Sequence, residues 1–85
     1  MQIKLRFFAS VRELLGTSNE TLTVPGDVTT VGAVRTLLAA RGGAWAEALG
    51  EDRALRMAFN QVMCPATTAL EEGCEVAFFP PVTGG

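Results

Sequence analysis

The apolar spacing changes period twice along this chain, which limits its fold more than any other feature. In "IKLRFF", Ile3, Leu5 and Phe7 share one side and Lys4, Arg6 and Phe8 the other, the two-residue period of a half-buried strand. "ETLTV" reads as a second strand close enough to form a hairpin with the first, and Pro25-Gly26 turns the chain after it. From Val31 the period lengthens: Val31, Val34, Leu37 and Leu38 fall on one stripe of a helix, with Thr30 as its N-cap and Gly42-Gly43 as its stop. "AWAEAL" adds a further turn or two, with Trp45, Ala48 and Leu49 at helical spacing, and Trp45 reads as a core or lid residue. Alternation returns in "LRMAF", where Leu55, Met57 and Phe59 share one parity. Asn60-Gln61 is then a tight link into a short strand, "VMC". "LEEG" turns into a last strand, "CEVAFF". Between the first two strands, "SVRELLG" reads as a short helix, with Ser10 and Glu13 at capping-box spacing and Gly16 as a left-handed stop.

The order strand, strand, long helix, strand, short strand, strand predicts an α+β fold. One main helix packs on one face of a mixed sheet, and the last strand lies parallel beside the first. That is the β-grasp arrangement. The domain occupies residues 1–79, and residues 80–85 form an extended C-terminal tail.

Composition narrows the function. With 48% apolar residues an 85-residue chain has enough for one core, and with only 19% charged it has apolar surface to spare for a partner. Net charge is −2, there is no histidine, and the seven Lys and Arg are scattered along the sequence, so no nucleic-acid partner is expected. Lys4 and Arg6 interrupt the first apolar run, which is wrong for a signal peptide, and no run is long enough to span a membrane. A cytoplasmic address with no membrane partner is the expectation. Cys64 and Cys74 read as two unpaired thiols. Without histidine or CxxC spacing, neither a metal site nor a Cys-His or Ser-His dyad is expected.

The end, "FFPPVTGG", remains to be explained. Gly84-Gly85 has nothing after it to cap or turn, and its plainest reading is a frayed end. Pro80-Pro81 instead favours an extended path from an aromatic strand end, and six residues from Pro80 reach at most ~20 Å. Glycine has no Cβ, so this tip suits a slot too narrow for other residues, with the α-carboxylate leading. A carboxylate resists nucleophiles until an activator turns one oxygen into a leaving group, as acyl adenylation does. A chain used in this way needs no catalytic residues of its own.

"FFASVRELLGT", Asn60-Gln61 and "EVAFFPPVTGG", with the helical block around Trp45, resemble the small subunit of molybdopterin synthase, the MoaD family. The resemblance spans the whole chain and implies a ubiquitin-like β-grasp sulfur carrier. It implies that a ubiquitin-activating-type enzyme (MoeB) adenylates Gly85 with ATP and magnesium, which the carrier itself does not bind. A sulfur donor protein then makes the thiocarboxylate, with Gly84 as the slim penultimate residue. The large subunit (MoaE) receives the tail, in a heterotetramer of two small and two large subunits. Sulfur passes there to cyclic pyranopterin monophosphate to build the molybdopterin dithiolene of the molybdenum cofactor. Cys64, Cys74 and "CPATTA" depart from the family's pattern. They raise a cysteine persulfide as an alternative carrier, which leaves Pro-Pro and Gly-Gly unexplained. A carrier for thiamine or tRNA thiolation, and an inert β-grasp interaction module, are the other readings.

Strand parity also offers a docking surface. If Val76 and Phe78 face the core, Phe79 shares the exposed side with Phe8, unless the sheet bends and buries both. The resemblance adds Met63 and Arg12 to this patch, and Pro80, Pro81, Val82 and Thr83 as the part of the tail that the partner grips.

Overall fold

The computed structural model describes residues 1–81. Strand β1 (Gln2–Phe7) leads through helix α1 (Ala9–Leu15) to β2 (Asn19–Thr23). Helices α2 (Val31–Ala39) and α3 (Gly43–Leu49) follow, and then β3 (Arg56–Phe59), β4 (Val62–Met63) and β5 (Glu75–Phe79). The five strands form one mixed sheet in the order β2-β1-β5-β3-β4. β1 runs antiparallel to β2 and parallel to β5, with Leu5 beside Val76 and Phe7 beside Phe78. The expected pairing of the last strand with the first is therefore present.

One face of the sheet carries the core. Ile3, Leu5, Phe7, Val76 and Phe78 are at most 1% exposed, and they meet Val11 of α1, Val31, Val34 and Leu38 of α2, and Ala48 and Leu49 of α3. Each large side chain buried here contributes roughly 1.5–3 kcal/mol. Phe7 stacks on Phe78 with ring centroids 6.4 Å apart, and Trp45 sets its edge against Phe7 at 5.7 Å. Trp45 is thus a half-buried lid on the core.

Among the described residues three helices cover this face, where the expectation is one main helix. The α1 segment is too short to announce itself as a packing element, yet its Val11 is buried in the core. The capping-box expectation fails. Phe8 is the N-cap, Ser10 lies inside the helix, and no side chain caps it. The helix begins earlier because Val11 and Arg12 donate to the Phe8 carbonyl. Gly16 does end it in the left-handed conformation (φ 73°), donating to Arg12 O at 2.9 Å. α2 stops at Ala40, and Gly42 serves as the N-cap of α3 instead of terminating α2 directly.

The start of α2 is satisfied from both sides. Thr30 Oγ1 accepts from Ala33 N at 3.2 Å, as expected, while Thr68 O and Ala66 O accept from Val31 N and Gly32 N at 3.0 and 2.8 Å. The 65–70 segment approaches this closely because position 32 is glycine. A Cβ there stands 2.9 Å from Ala66 Cβ and 3.1 Å from Ala66 O. Arg35 ties α2 to the far end of α3, donating to Leu49 O, Gly50 O and Arg53 O at 2.6–2.8 Å. Arg41 donates twice to the Glu20 carboxylate, at 2.9 and 2.6 Å, and lies 4.4 Å over the Trp45 ring, which links β2, the end of α2, and α3. Cys64 is half-buried and Cys74 buried, and both are free thiols. Among the described residues, no helix is long and apolar enough to cross a membrane.

Two outcomes test these contacts. Gly32→Ala lowers Tm although alanine favours helix, because the new methyl meets backbone and Cβ atoms of Ala66 that have no side-chain freedom to yield; a cost of about 1–3 kcal/mol is expected. The second concerns acid. The hydrogen bond from Arg41 lowers the Glu20 pKa below its ordinary value, outweighing partial burial, which raises it. The stability this confers is present above the unfolded-state pKa and is lost as pH falls through the lowered folded-state value. Glu20→Gln therefore costs about 1 kcal/mol or less at neutral pH, given the partial exposure of the pair, and its melting curve converges on the parent's in acid.

Candidate partner-docking site

Among the described residues, no helix lies on the opposite face of the sheet. Pairing registers set its side chains in rows. Arg6 stands beside Ala77, Ala77 beside Ala58, and Ala58 beside Met63. In the next row Phe8 stands by Phe79, which lies opposite Arg56. Two alanines side by side leave a depression between larger neighbours. The result is an open groove of about 490 Å³, floored by Ala58 and Ala77 and walled by Phe8, Met63 and Phe79, with Pro80 and Pro81 at its lip. Ala58 and Ala77 are only 6% and 4% exposed even though no helix covers them.

The aromatic wall is organised by contacts of its own. Phe8 meets Phe79 edge to face with centroids 6.4 Å apart, and the Arg6 guanidinium lies 5.7 Å from the Phe8 ring centre. Phe8 N donates to Phe78 O at 3.3 Å, extending the parallel ladder one residue past β1. Phe8 and Met63 nevertheless remain 42% and 57% exposed, large apolar side chains left to water at the mouth of an apolar groove.

The non-glycine residues with positive φ among those described are Ala9 (51°), Asn60 (48°) and Gln61 (70°), and all three stand at this groove. Ala9 and Gln61 line it, while Asn60 fastens its rim. Ala9 turns the chain from the open face, where Phe8 sits, back toward the helical side. Asn60-Gln61 is a two-residue hairpin link with both φ angles positive, which matches the twist of paired strands. Asn60 N donates to Glu75 O at 2.8 Å and Asn60 Oδ1 accepts from Glu75 N at 2.9 Å, so the side chain clamps the hairpin to β5.

Of the expected site residues, Phe8, Met63, Phe79, Pro80 and Pro81 come together around one groove. Arg12 is exposed on α1 and is not among the lining residues. Val82, Thr83, Gly84 and Gly85 lie outside the described residues. Sequence reasoning missed Ala58, Ala77, Ala9, Gln61 and Glu75, which also line the groove. Ala77 and Glu75 share the parity of Phe79, a signal that was present. The step from Ala77 to Ala58 needs the β3–β5 register, which spacing alone does not supply.

Adjacent turn residues give a paired test of this rim. Gln61→Gly relieves a left-handed side chain that forms no part of the core, and is expected to raise Tm by roughly 2–6 °C after allowing for the looser unfolded chain. Asn60→Gly relieves the same φ but loses the hydrogen bond to Glu75 N, and is expected to lower Tm. Thermal melts of the two variants check the opposite signs.

The chain matches the model of the ThiS family over residues 5–85. It is 51% identical over 83 residues to the molybdopterin synthase sulfur carrier subunit of Escherichia coli (strain K12), with 98% of this chain and 99% of that one covered. It is 43% identical, with the same coverage, to the molybdopterin synthase sulfur carrier subunit of Haemophilus influenzae. The solution structure of the HVO 2177 protein of Haloferax volcanii superposes with a TM-score of 0.80 at 34% identity, covering 100% of this chain and 87% of that one. The β-grasp architecture read from strand order thus has a solved counterpart, and the chain belongs to the ThiS family.

Proposed function

We propose that this chain is the sulfur-carrier subunit of molybdopterin synthase and has no catalytic activity on its own. The observation that carries this reading is the position of the groove: Pro80-Pro81, the root of the chain's end, forms its lip. A partner seated on Phe8, Met63 and Phe79 therefore has Pro80-Pro81 at the edge of the contact. Docking and reaction are then separate tasks. The groove supplies affinity, and residues 80–85 act as a probe into the partner's active site, with the Gly85 carboxylate as the reacting group.

The chemistry follows from that carboxylate. An adenylating enzyme of the ubiquitin-activating type, using ATP and magnesium, converts it to an acyl adenylate. A sulfur donor displaces AMP and leaves a thiocarboxylate. The large subunit takes the tail, and sulfur passes to cyclic pyranopterin monophosphate, two transfers making one dithiolene. Gly84 lets bare backbone pass a narrow channel. An assembly of two small and two large subunits in the cytoplasm completes the proposal. The names of the two bacterial relatives support it over a carrier serving thiamine or tRNA thiolation.

Two variants separate docking from reaction. Removal of Gly85 should leave the melting curve at the parent value and abolish the gain of about 16 Da that oxygen-to-sulfur exchange produces on incubation with the activating enzyme and sulfur source. Phe79→Ala should still acquire that mass when the activating components are in excess, while binding to the large subunit weakens by about 2 kcal/mol. Sulfur transfer by the shortened chain, or parent affinity in Phe79→Ala, contradicts the assignment.

A further inference from the structure

The groove is apolar, but its surroundings are not neutral. Lys4 and Arg6 of β1 and Arg56 of β3 are exposed and share the open face with Phe8, Ala58 and Ala77. The acid that shares this face in the strand rows is Glu75, aligned with Lys4 and 3.7 Å from Arg6. The ion pairs among the described residues join Arg6 to Glu75, Arg41 to Glu20 and Arg53 to Glu47, which leaves Lys4 and Arg56 with none. Arg56 stands directly opposite Phe79, at the root of the tail.

Counted over the strand rows, three cations and one acid sum to +2. The whole chain carries −2, so the residues outside these rows carry −4. Three of the seven basic residues, far apart in sequence, are thus brought by the fold onto the face that also bears the apolar groove. A molecule polarised in this way turns its positive face toward a negative partner before contact, and field effects of this kind act mainly on the rate of encounter.

We infer that the basic rim of Lys4, Arg6 and Arg56 steers the large subunit onto the groove, and that the large subunit meets it with an apolar projection ringed by Asp and Glu carboxylates. The inference rests on the carrier reading above and adds the partner's surface chemistry. It divides the work between two sets of residues. The floor and aromatic wall set how long the complex lasts, and the rim sets how fast it forms.

The test is a stopped-flow or surface-based measurement of association and dissociation rates between this chain and the large subunit, at about 30 and 300 mM salt, which brackets a tenfold change in ionic strength around the screening range. For the parent, the association rate should fall steeply with salt. Arg56→Glu, and separately Lys4→Glu, should slow association about tenfold at low salt and flatten the salt dependence, with dissociation changed no more than about twofold. Phe79→Ala should do the reverse, speeding dissociation with near-parent association. Ala44→Glu combined with Ala46→Glu, at two exposed positions of α3 on the helical side, changes the net charge by the same two units as Arg56→Glu but away from the face, and should leave association unchanged.

A parent complex whose association ignores salt overturns the inference and leaves the carrier reading standing. So does a loss in the Ala44→Glu, Ala46→Glu variant as large as that in Arg56→Glu, because the effect would then be one of net charge. Equal capture of the parent by phosphatidylserine vesicles, lost in Arg56→Glu, would assign the rim to a membrane surface and also overturn it. No complex with the large subunit at any salt overturns both the inference and the reading beneath it.

Discussion

Parallel pairing between β1 and β5 joins the first and last strands, with Leu5 beside Val76 and Phe7 beside Phe78, and the other elements take their places from it. On the helical side it brings Ile3, Leu5, Phe7, Val76 and Phe78 into one apolar surface on which all three helices close. On the open side the same register sets Phe8 beside Phe79 and continues through Ala77 to Ala58 and Met63. Core and groove are therefore two faces of one pairing. A one-residue slip of β5 would exchange them, placing Ala77 and Phe79 toward the helices and Val76 and Phe78 toward water. The burial of Val76 and Phe78 at 0% exposure opposes that slip, so the same contacts that stabilise the fold hold the groove in register.

Around the groove, local conformational preference yields to geometry. Ala9, Asn60 and Gln61 hold backbone angles that cost a non-glycine residue roughly 1–2 kcal/mol each. Asn60 recovers part of that through its clamp on Glu75, and Ala9 is required by the reversal from open face to helical face. Among the described residues, no hydrogen bond of the Gln61 side chain offsets its own cost. Strain of this kind persists where surrounding structure over-determines it, and here it borders the surface proposed to meet a partner. The rigid setting suits that use, because a preformed groove loses little freedom when it is filled.

Much of this was legible in the sequence where one face of an element is buried and the other is not. The alternation Ile3, Leu5, Phe7 against Lys4, Arg6, Phe8 located the core side of β1, and the same parity placed Phe79 with Phe8. Thr30 as N-cap and Gly16 as a left-handed stop were readable because each acts within a few residues. What failed was local signal overridden by tertiary contact. Ser10 and Glu13 have capping-box spacing, yet the chain must turn at Phe8-Ala9 to return to the core, so the helix starts before Ser10. Gly42-Gly43 reads as an end, while the Gly42 carbonyl accepts from Trp45 N and Ala46 N and so begins another helix. The gathering of Lys4, Arg6 and Arg56 on one face was invisible to a reading of charge along the chain, because it depends on β3 lying beside β5.

The central claim, that the helix-free face receives the partner while the helical face keeps the fold, is tested most directly by amide chemical-shift mapping. The isotope-labelled chain is titrated with unlabelled large subunit and each amide is followed. Shifts should concentrate at Phe8, Ala58, Met63, Ala77 and Phe79, with Val34, Leu38 and Ala48 little moved. Perturbations centred on α2 and α3, with the Ala58–Ala77 floor unchanged, would contradict it.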